Sequence, residues 1–255
     1  MLLCLKNKTI LLFFTKNKTF LRDIIPYGYV DIHSHLLPKI DDGSKSIEDT
    51  IDLIIQLKEF GFHEFITTPH VMHQVWENSK AIIEDNYHNT TAALRLNSID
   101  NSFKVAAEYM LDDNFRKLFQ NEKLFTLKDN FVLIEMSYIN PPLQLFDLIF
   151  DLQVAGYQPI LAHPERYNFY HNSLEEYKKL KRAGCLFQLN LLSCVGYYGA
   201  NVSKTSDYLL KNNFIDYVGS DVHHAKHVAF FNKKIVLKNL DSLKEVIQNN
   251  LSFKS

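Results

Sequence analysis

Tyr29-Val30-Asp31-Ile32-His33-Ser34-His35 opens the regular pattern of this chain: a β-rich run, Tyr29–Ile32, stops on two histidines separated by one residue. In extended backbone, positions i and i+2 share a face, so the two imidazoles can converge on one point. A helix follows, with Ser46 as N-cap, Ile47, Ile51, Ile54 and Ile55 as its apolar stripe and Gly61 just past its end at Phe60. Glu64–Thr67 is then a second strand, and the alternation continues with strands over Phe103–Ala107, Phe131–Ile134, Pro159–Ala162, Leu186–Leu189 and Asp216–Gly219. Between them lie helical stretches over Ser79–Leu96, Pro142–Ala155 and Ser203–Lys211, and one that opens on a capping box, Ser173-Leu174-Glu175-Glu176, and stops at Gly184. A last helix spans Ser242–Asn250. Seven strands alternating with helices are the pattern of βα units around a parallel sheet, and no linker divides them.

Composition narrows the function. At 255 residues, with 46% hydrophobic and 22% charged, the chain is globular rather than fibrous or disordered. Lys+Arg 28 against Asp+Glu 29 leaves no global field for nucleic acid. No glycine-loop motif for phosphate occurs. Cys4, Cys185 and Cys194 are odd in number and lack C-x-x-C spacing, which argues against a disulfide framework or a thiolate zinc site and fits a reducing cytoplasm. Ile10–Phe14 is an apolar run too short to span a bilayer, where about 20 residues are needed. Residues 1–27 read as an N-terminal appendage, with weak membrane-surface contact as one use for it.

The chemistry sits at the strand ends. After His33 and His35 come Thr67-Thr68-Pro69-His70, Ala106-Ala107-Glu108, Ile134-Glu135-Met136, Leu161-Ala162-His163-Pro164 and Gly219-Ser220-Asp221-Val222-His223. In a barrel of βα units these ends crowd into one cup, and His with Asp and Glu is a metal-ligand set. The Asp41-Asp42-Gly43 loop can fold a carboxylate over it. Any single one of these histidines reads as an ordinary core or surface residue; together, on six strand ends, they read as a metal constellation. His63, His73, His88, His171, His224 and His227 lack such placement and are expected on the surface or in loops, His224 being the nearest to an exception.

His33-x-His35, Asp41-Asp42-Gly43, Thr-Pro-His70, Ala-Glu108-Tyr, Ile-Glu135, Ala-His163-Pro-Glu165-Arg166 and Gly-Ser-Asp221-Val-His223 resemble, in order and separation, the polymerase-and-histidinol-phosphatase (PHP) superfamily. More closely, they resemble its bacterial tyrosine phosphatases from capsule and exopolysaccharide loci. The resemblance implies a single-domain, distorted TIM-like (βα)7 barrel over residues 28–255. It implies three divalent metal ions, usually Mn, with Fe, Zn or Mg as other options, held by His33, His35, Asp42, His70, Glu108, Glu135, His163, Asp221 and His223. Arg166 matches the arginine that contacts phosphate. The implied substrate is the phosphotyrosine tail of a bacterial tyrosine kinase controlling polysaccharide export. Two positions depart from the pattern: Lys39 stands where a glycine is common, and no arginine follows the Asp-x-His motif, leaving Lys226 or His224 to replace it.

Three divalent ions against four carboxylates leave a cup with two surplus positive charges, suited to a phosphate dianion. The expected reaction is attack by a metal-bound hydroxide, with Arg166 forking two phosphoryl oxygens and His223 or His224 protonating the leaving group. Trp76, Tyr138, Tyr167, Phe169, Tyr197 and Tyr198 are candidates to flank a tyrosyl ring, though core packing accounts for any one of them as well. The competing readings are a small-molecule phosphomonoesterase of the histidinol-phosphatase type and a phosphotyrosine-binding scaffold without turnover.

Overall fold

Ser46 starts the first helix: its side chain accepts a hydrogen bond from the Asp49 N–H, and Thr50, Leu53, Ile54 and Leu57 form the buried face. The computed structural model describes residues 19–99 and 102–255. In it this helix, α1 (Ile47–Lys58), joins β1 (Tyr29–Asp31) to its parallel neighbour β2 (Phe62–Thr67). Then come β3 (His70–Val71), α2 (Lys80–Leu96), β4 (Ser102–Val105), β5 (Glu108–Met110), α3 (Phe115–Asn121) and β6 (Phe131–Glu135). The chain continues through α4 (Leu145–Val154), β7 (Gln158–Ala162), α5 (Leu174–Arg182), β8 (Leu186–Asn190) and α6 (Ala200–Lys211). It ends with β9 (Tyr217–Gly219), α7 (Ala225–Ala229) and α8 (Leu240–Asn249).

All the pairings between named strands are parallel, in a sheet ordered β1-β2-β4 and another ordered β3-β5-β6-β7-β8-β9. The two are one wall with a break. β2 passes into β3 across Thr68-Pro69, and β4 into β5 across Ala106-Ala107, so the nine strands among the described residues follow seven paths. Pro69 has no N–H to give, but its carbonyl accepts from the Glu108 N–H at 3.0 Å, and Ala106 N–H donates to Thr67 O at 2.8 Å, which carries the pairing over the break. Closure comes between β9 and β1, where Asp221 N–H donates to His33 O at 2.8 Å and His35 N–H to Val222 O at 2.9 Å. The fold is an α/β barrel of seven strand paths, distorted at that break.

Two apolar layers hold it. Val30, Ile32, Ile66, Ala106, Leu133, Ile160 and Ala162 cluster with Leu127 and Phe253 and without residues of the α-helices, which marks the barrel interior. The Phe253 ring meets Phe131 and Tyr217 at strand starts and floors it. The larger cluster joins strands to helices, for example Phe65 with Leu53, Ile54 and Leu57. A buried aliphatic side chain contributes roughly 1.5–3 kcal/mol here.

Sequence expectation and structure part at the N-terminal segment and at Ser173. Of the expected appendage, residues 19–27 pack onto the barrel: Leu21, Ile24 and Ile25 are buried, Leu21 N–H donates to Lys233 O and Ile235 N–H to Thr19 O, both at 3.0 Å. Residues 1–18, and with them the surface contact considered for that segment, lie outside the described residues. The capping box at Ser173 is not formed, since its side chain makes no cap hydrogen bond. α4 is apolar on both sides: Leu145, Leu148, Ile149 and Leu152 are buried, while Phe150 and Val154 face solvent. Among the described residues no helix is long and apolar enough to cross a membrane.

Candidate metal centre

The strand ends bring all nine expected donors into one cavity or its floor. His33 Nε2 lies 3.1 Å from Glu108 Oε2 and 3.3 Å from Asp221 Oδ1. His35 Nε2 lies 3.4 Å from each of the same two carboxylates. His163 Nε2 is 3.0 Å from Glu108 Oε1, and His70 Nδ1 is 2.8 Å from Glu135 Oε1. Asp42 reaches over the rim, its Oδ1 3.5 Å from both His70 Nε2 and His223 Nε2. Four overlapping groups result, each with donor atoms within 4.8 Å: His35, Asp42, His70 and His223; His33, His35 and Glu108; His33, His163 and Asp221; His70, Glu108 and Glu135. Two of the donors sit in left-handed backbone, His163 at φ 35° and Asp221 at φ 50°, a conformation that non-glycine residues hold only where the surroundings enforce it.

Electrostatics fit cations. Burial works against the charged form of Glu108, yet His33, His70 and His163 hold its carboxyl well below the usual range. Asp221 is likewise lowered against burial by His33, His223, His35 and Arg166. His70, against burial, is raised to about 9 by Glu135 and Glu108. The test of fit is His70 Nδ1 and Glu135 Oε1: both are buried, 2.8 Å apart, and without the alignment of a hydrogen bond. Two buried donors that approach without bonding each other suit a shared divalent ion. Imidazole and carboxylate without thiolate leave Mn, Fe, Zn and Mg open.

A second layer of residues, of which Gln188 and Asn190 have no sequence signal, orients the donors. Asp41, in the loop expected to fold a carboxylate over the cup, is buried; its Oδ2 accepts from His35 Nδ1 at 2.8 Å and from the His70 N–H at 3.2 Å. Gln188 Oε1 meets His33 Nδ1 at 2.6 Å. Both partners leave Nε2 free to face the donors, which is how ligand histidines are fixed. Asn190 Nδ2 donates to Asp221 Oδ2 at 2.8 Å.

Arg166 lines the same cavity, about 1010 Å³ in volume. Its Nη1 donates to Asp221 Oδ2 at 2.7 Å, and its guanidinium lies 4.9 Å from the Tyr138 ring and 4.2 Å from the Tyr198 ring. Trp76, Tyr138, Tyr198, His223 and His224 line the cavity. Tyr167 instead is buried, accepting from Met136 N–H and donating to Ala162 O, with Phe169 stacked on it. Tyr197 packs on His227 and Phe230. Of the two candidates for the missing basic residue, His224 faces the cavity while Lys226 lies over Tyr197. His227 corrects its surface assignment: it is buried, with Nδ1 accepting from the His223 N–H at 3.2 Å.

Residues 29–233 match the family described as capsular polysaccharide synthesis, CpsB/CapC. The chain belongs to the CpsB/CapC family. Among its relatives is the tyrosine-protein phosphatase YwqE of Bacillus subtilis, 28% identical over 198 residues that cover 77% of this chain and 78% of YwqE. Another is the tyrosine-protein phosphatase CpsB of Streptococcus agalactiae, 27% identical over 202 residues, 76% of this chain and 83% of CpsB. A solved structure from the study of YwqE and of Streptococcus pneumoniae CpsB, described as metal-dependent tyrosine phosphatases, superimposes with a TM-score of 0.75 at 27% identity, covering 85% of this chain and 86% of that one. An amidohydrolase of Mycoplasma synoviae shares the fold alone, with a TM-score of 0.52 at 12% identity.

Proposed function

We propose that this CpsB/CapC chain is a metal-dependent tyrosine-protein phosphatase, a phosphoric monoester hydrolase that acts on the phosphotyrosine tail of a bacterial tyrosine kinase controlling capsule or exopolysaccharide export. One observation carries this: nine metal-type donors and one arginine converge on a single cavity open to solvent. His33, His35, Asp42, His70, Glu108, Glu135, His163, Asp221 and His223 hold three divalent ions, Mn by preference. Bound there, such cations lower the pKa of water toward neutrality and neutralise phosphate charge.

The chain's own residues do the rest. Arg166, held by Asp221 at 2.7 Å and walled by Tyr138 and Tyr198, presents its fork to two phosphoryl oxygens and takes up charge that grows in the transition state. The two tyrosyl rings also form an aromatic wall for the substrate ring. His224, on the cavity rim, gives a proton to the leaving oxygen, with His223 as the alternative donor. A phenol of pKa about 10 leaves readily, so a weak acid suffices. Cys185 and Cys194, buried and unpaired, suit the reducing cytoplasm in which such a kinase tail lies.

The test is phosphate release by Mn-loaded protein from a phosphotyrosine peptide and from histidinol phosphate, each with and without chelator. Chelator-sensitive preference for the peptide is expected. Preference for histidinol phosphate makes this a small-molecule phosphomonoesterase, and binding of the peptide without release makes it a scaffold. His163→Ala is expected to abolish release in a protein that remains folded.

A further inference from the structure

A second cavity, about 250 Å³, lies beside the catalytic one and shares a wall with it. Met72 and Trp76 pair backbone to backbone, N–H to O at 2.9 Å in both directions, and His73 N–H pins the turn between them by donating to Asp112 Oδ2 at 2.8 Å. Met72, His73 and Trp76 line both cavities, so one tight turn is the partition. Behind it Val71, Ile83, Leu118, Leu124 and Phe125 make an apolar lining that contains none of the nine donors. Its lining also carries Lys80 and Lys123 with Glu77 and Glu122, formal charges that cancel and leave none to select a charged occupant.

Size decides the class of occupant. An apolar cavity of roughly 150 Å³ already takes up benzene, whereas small-molecule sites usually run to about 300–1,000 Å³. A cavity between the two suits one side chain of a polypeptide. We propose that it is a specificity subsite, receiving an uncharged, leucine- or phenylalanine-sized side chain of the polypeptide that carries the phosphotyrosine. The inference rests on the phosphatase reading above. An extended peptide whose phosphotyrosine enters the catalytic cavity crosses the 72–76 turn. With side chains alternating at ~3.3 Å per residue, the anchored one is roughly two or four residues away.

The test uses Mn-loaded full-length protein, a series of phosphotyrosine peptides with leucine placed in turn at each flanking position of an alanine background, and p-nitrophenyl phosphate. One position is expected to raise kcat/KM about tenfold, mainly through KM, the usual return from filling an apolar pocket. Asn114 lines the subsite and caps α3 without a side-chain hydrogen bond, so Asn114→Phe narrows it at little structural cost. This variant should erase the leucine gain and leave p-nitrophenyl phosphate turnover unchanged. Leu118→Ala, which enlarges the subsite, should move the preference from leucine to tryptophan. Equal rates for all peptides, or a leucine gain that survives Asn114→Phe with no change of preference in Leu118→Ala, overturn the subsite while phosphotyrosine hydrolysis stands. No hydrolysis of any phosphotyrosine substrate overturns the phosphatase reading and the subsite with it.

Discussion

Arg166 and Asp221 share a 2.7 Å charge-assisted hydrogen bond at the wall of the catalytic cavity, and Asp221 is at the same time a candidate metal donor. Phosphate binding and ion binding therefore meet at one carboxylate. Arg166→Lys keeps the charge but loses both the fork and the planar stacking between Tyr138 and Tyr198. Its kcat/KM on a phosphotyrosine peptide should fall roughly 100-fold, as for loss of one transition-state donor. Inhibition by orthophosphate should weaken in parallel, and unchanged orthophosphate inhibition would count against Arg166 as the phosphate clamp.

Ion removal should reverse the pH dependence of stability. In the ion-free protein His33, His35 and His70 are all raised despite burial, by Glu108 and Asp221, by Asp41, Asp221 and Glu108, and by Glu135 and Glu108 respectively. A histidine raised in the folded state contributes stability below its unfolded pKa of about 6.5 and loses it as pH climbs through the folded value, about 9 for His70. For His70 alone the loss is on the order of 3 kcal/mol. The chelated protein should thus melt at a lower temperature at pH 9 than at pH 6, while ion loading, which needs deprotonated imidazoles, should raise Tm more at pH 9 than at pH 6. Scanning calorimetry of both forms at the two pH values checks it; parallel curves would rule the mechanism out.

Asp41→Asn should loosen ions without unfolding the barrel. The substitution weakens the bond from His35 Nδ1, now 2.8 Å, that fixes which nitrogen faces the cup. Loss of such an orienting carboxylate usually costs about 10–100-fold in metal affinity. Titration of Mn into apo protein, followed by calorimetry, should show that drop with the number of ions bound unchanged. Wild-type affinity in the variant would remove Asp41 from the residues that orient the ligands.

Cys185 and Cys194 should resist alkylation in the folded protein. Burial pushes the Cys185 thiol up to about 12 and raises Cys194 well above its ordinary value, so neither offers thiolate at neutral pH. Iodoacetamide labelling followed by peptide mapping should find both unmodified until denaturant is added. Modification of either at the rate of a free thiol would show that the packing around it opens readily.

Eight of the donors were legible in sequence because each needs only a residue type and a strand end: His33 and His35 share a face by the two-residue period, and His70, Glu108, Glu135, His163, Asp221 and His223 lie where β-rich runs close, whereas Asp42, in a loop, is implied by the family resemblance alone. Asp41 was not, because which of two adjacent aspartates turns inward depends on loop backbone and on the space that Gly43 leaves, not on pattern. Gln188 was hidden for another reason: a neutral amide inside a strand, Leu186–Asn190, has no signature until His33 is found against it at 2.6 Å. The breaks carry no signal either: the first strand pattern stops at Thr67 and the other runs on to Ala107, since sequence cannot tell a strand that stops from one that steps into the next sheet. Leu21, Ile24 and Ile25 do not read as core because two apolar residues in a four-residue turn, Leu21–Ile24, and one just past it carry no periodicity.

Gly43→Ala should damage the site by steric means alone. A Cβ at this position would lie 2.2 Å from the His35 carbonyl oxygen, 2.4 Å from His35 Cβ and 2.9 Å from Asp41 Oδ1, and no side-chain rotation relieves the first two contacts. The loop has to retreat, and it carries both Asp41, which orients His35, and Asp42, which reaches His70 and His223 at 3.5 Å. Ions held by the outer group of His35, Asp42, His70 and His223 should weaken first. Those held by His33, His163 and Asp221 lie under the strand ends and should persist. Metal analysis of the purified variant should therefore find fewer ions per chain than wild type, with phosphatase activity lost and the fold, by circular dichroism, retained; full metal content with full activity would show that the loop accommodates the methyl group.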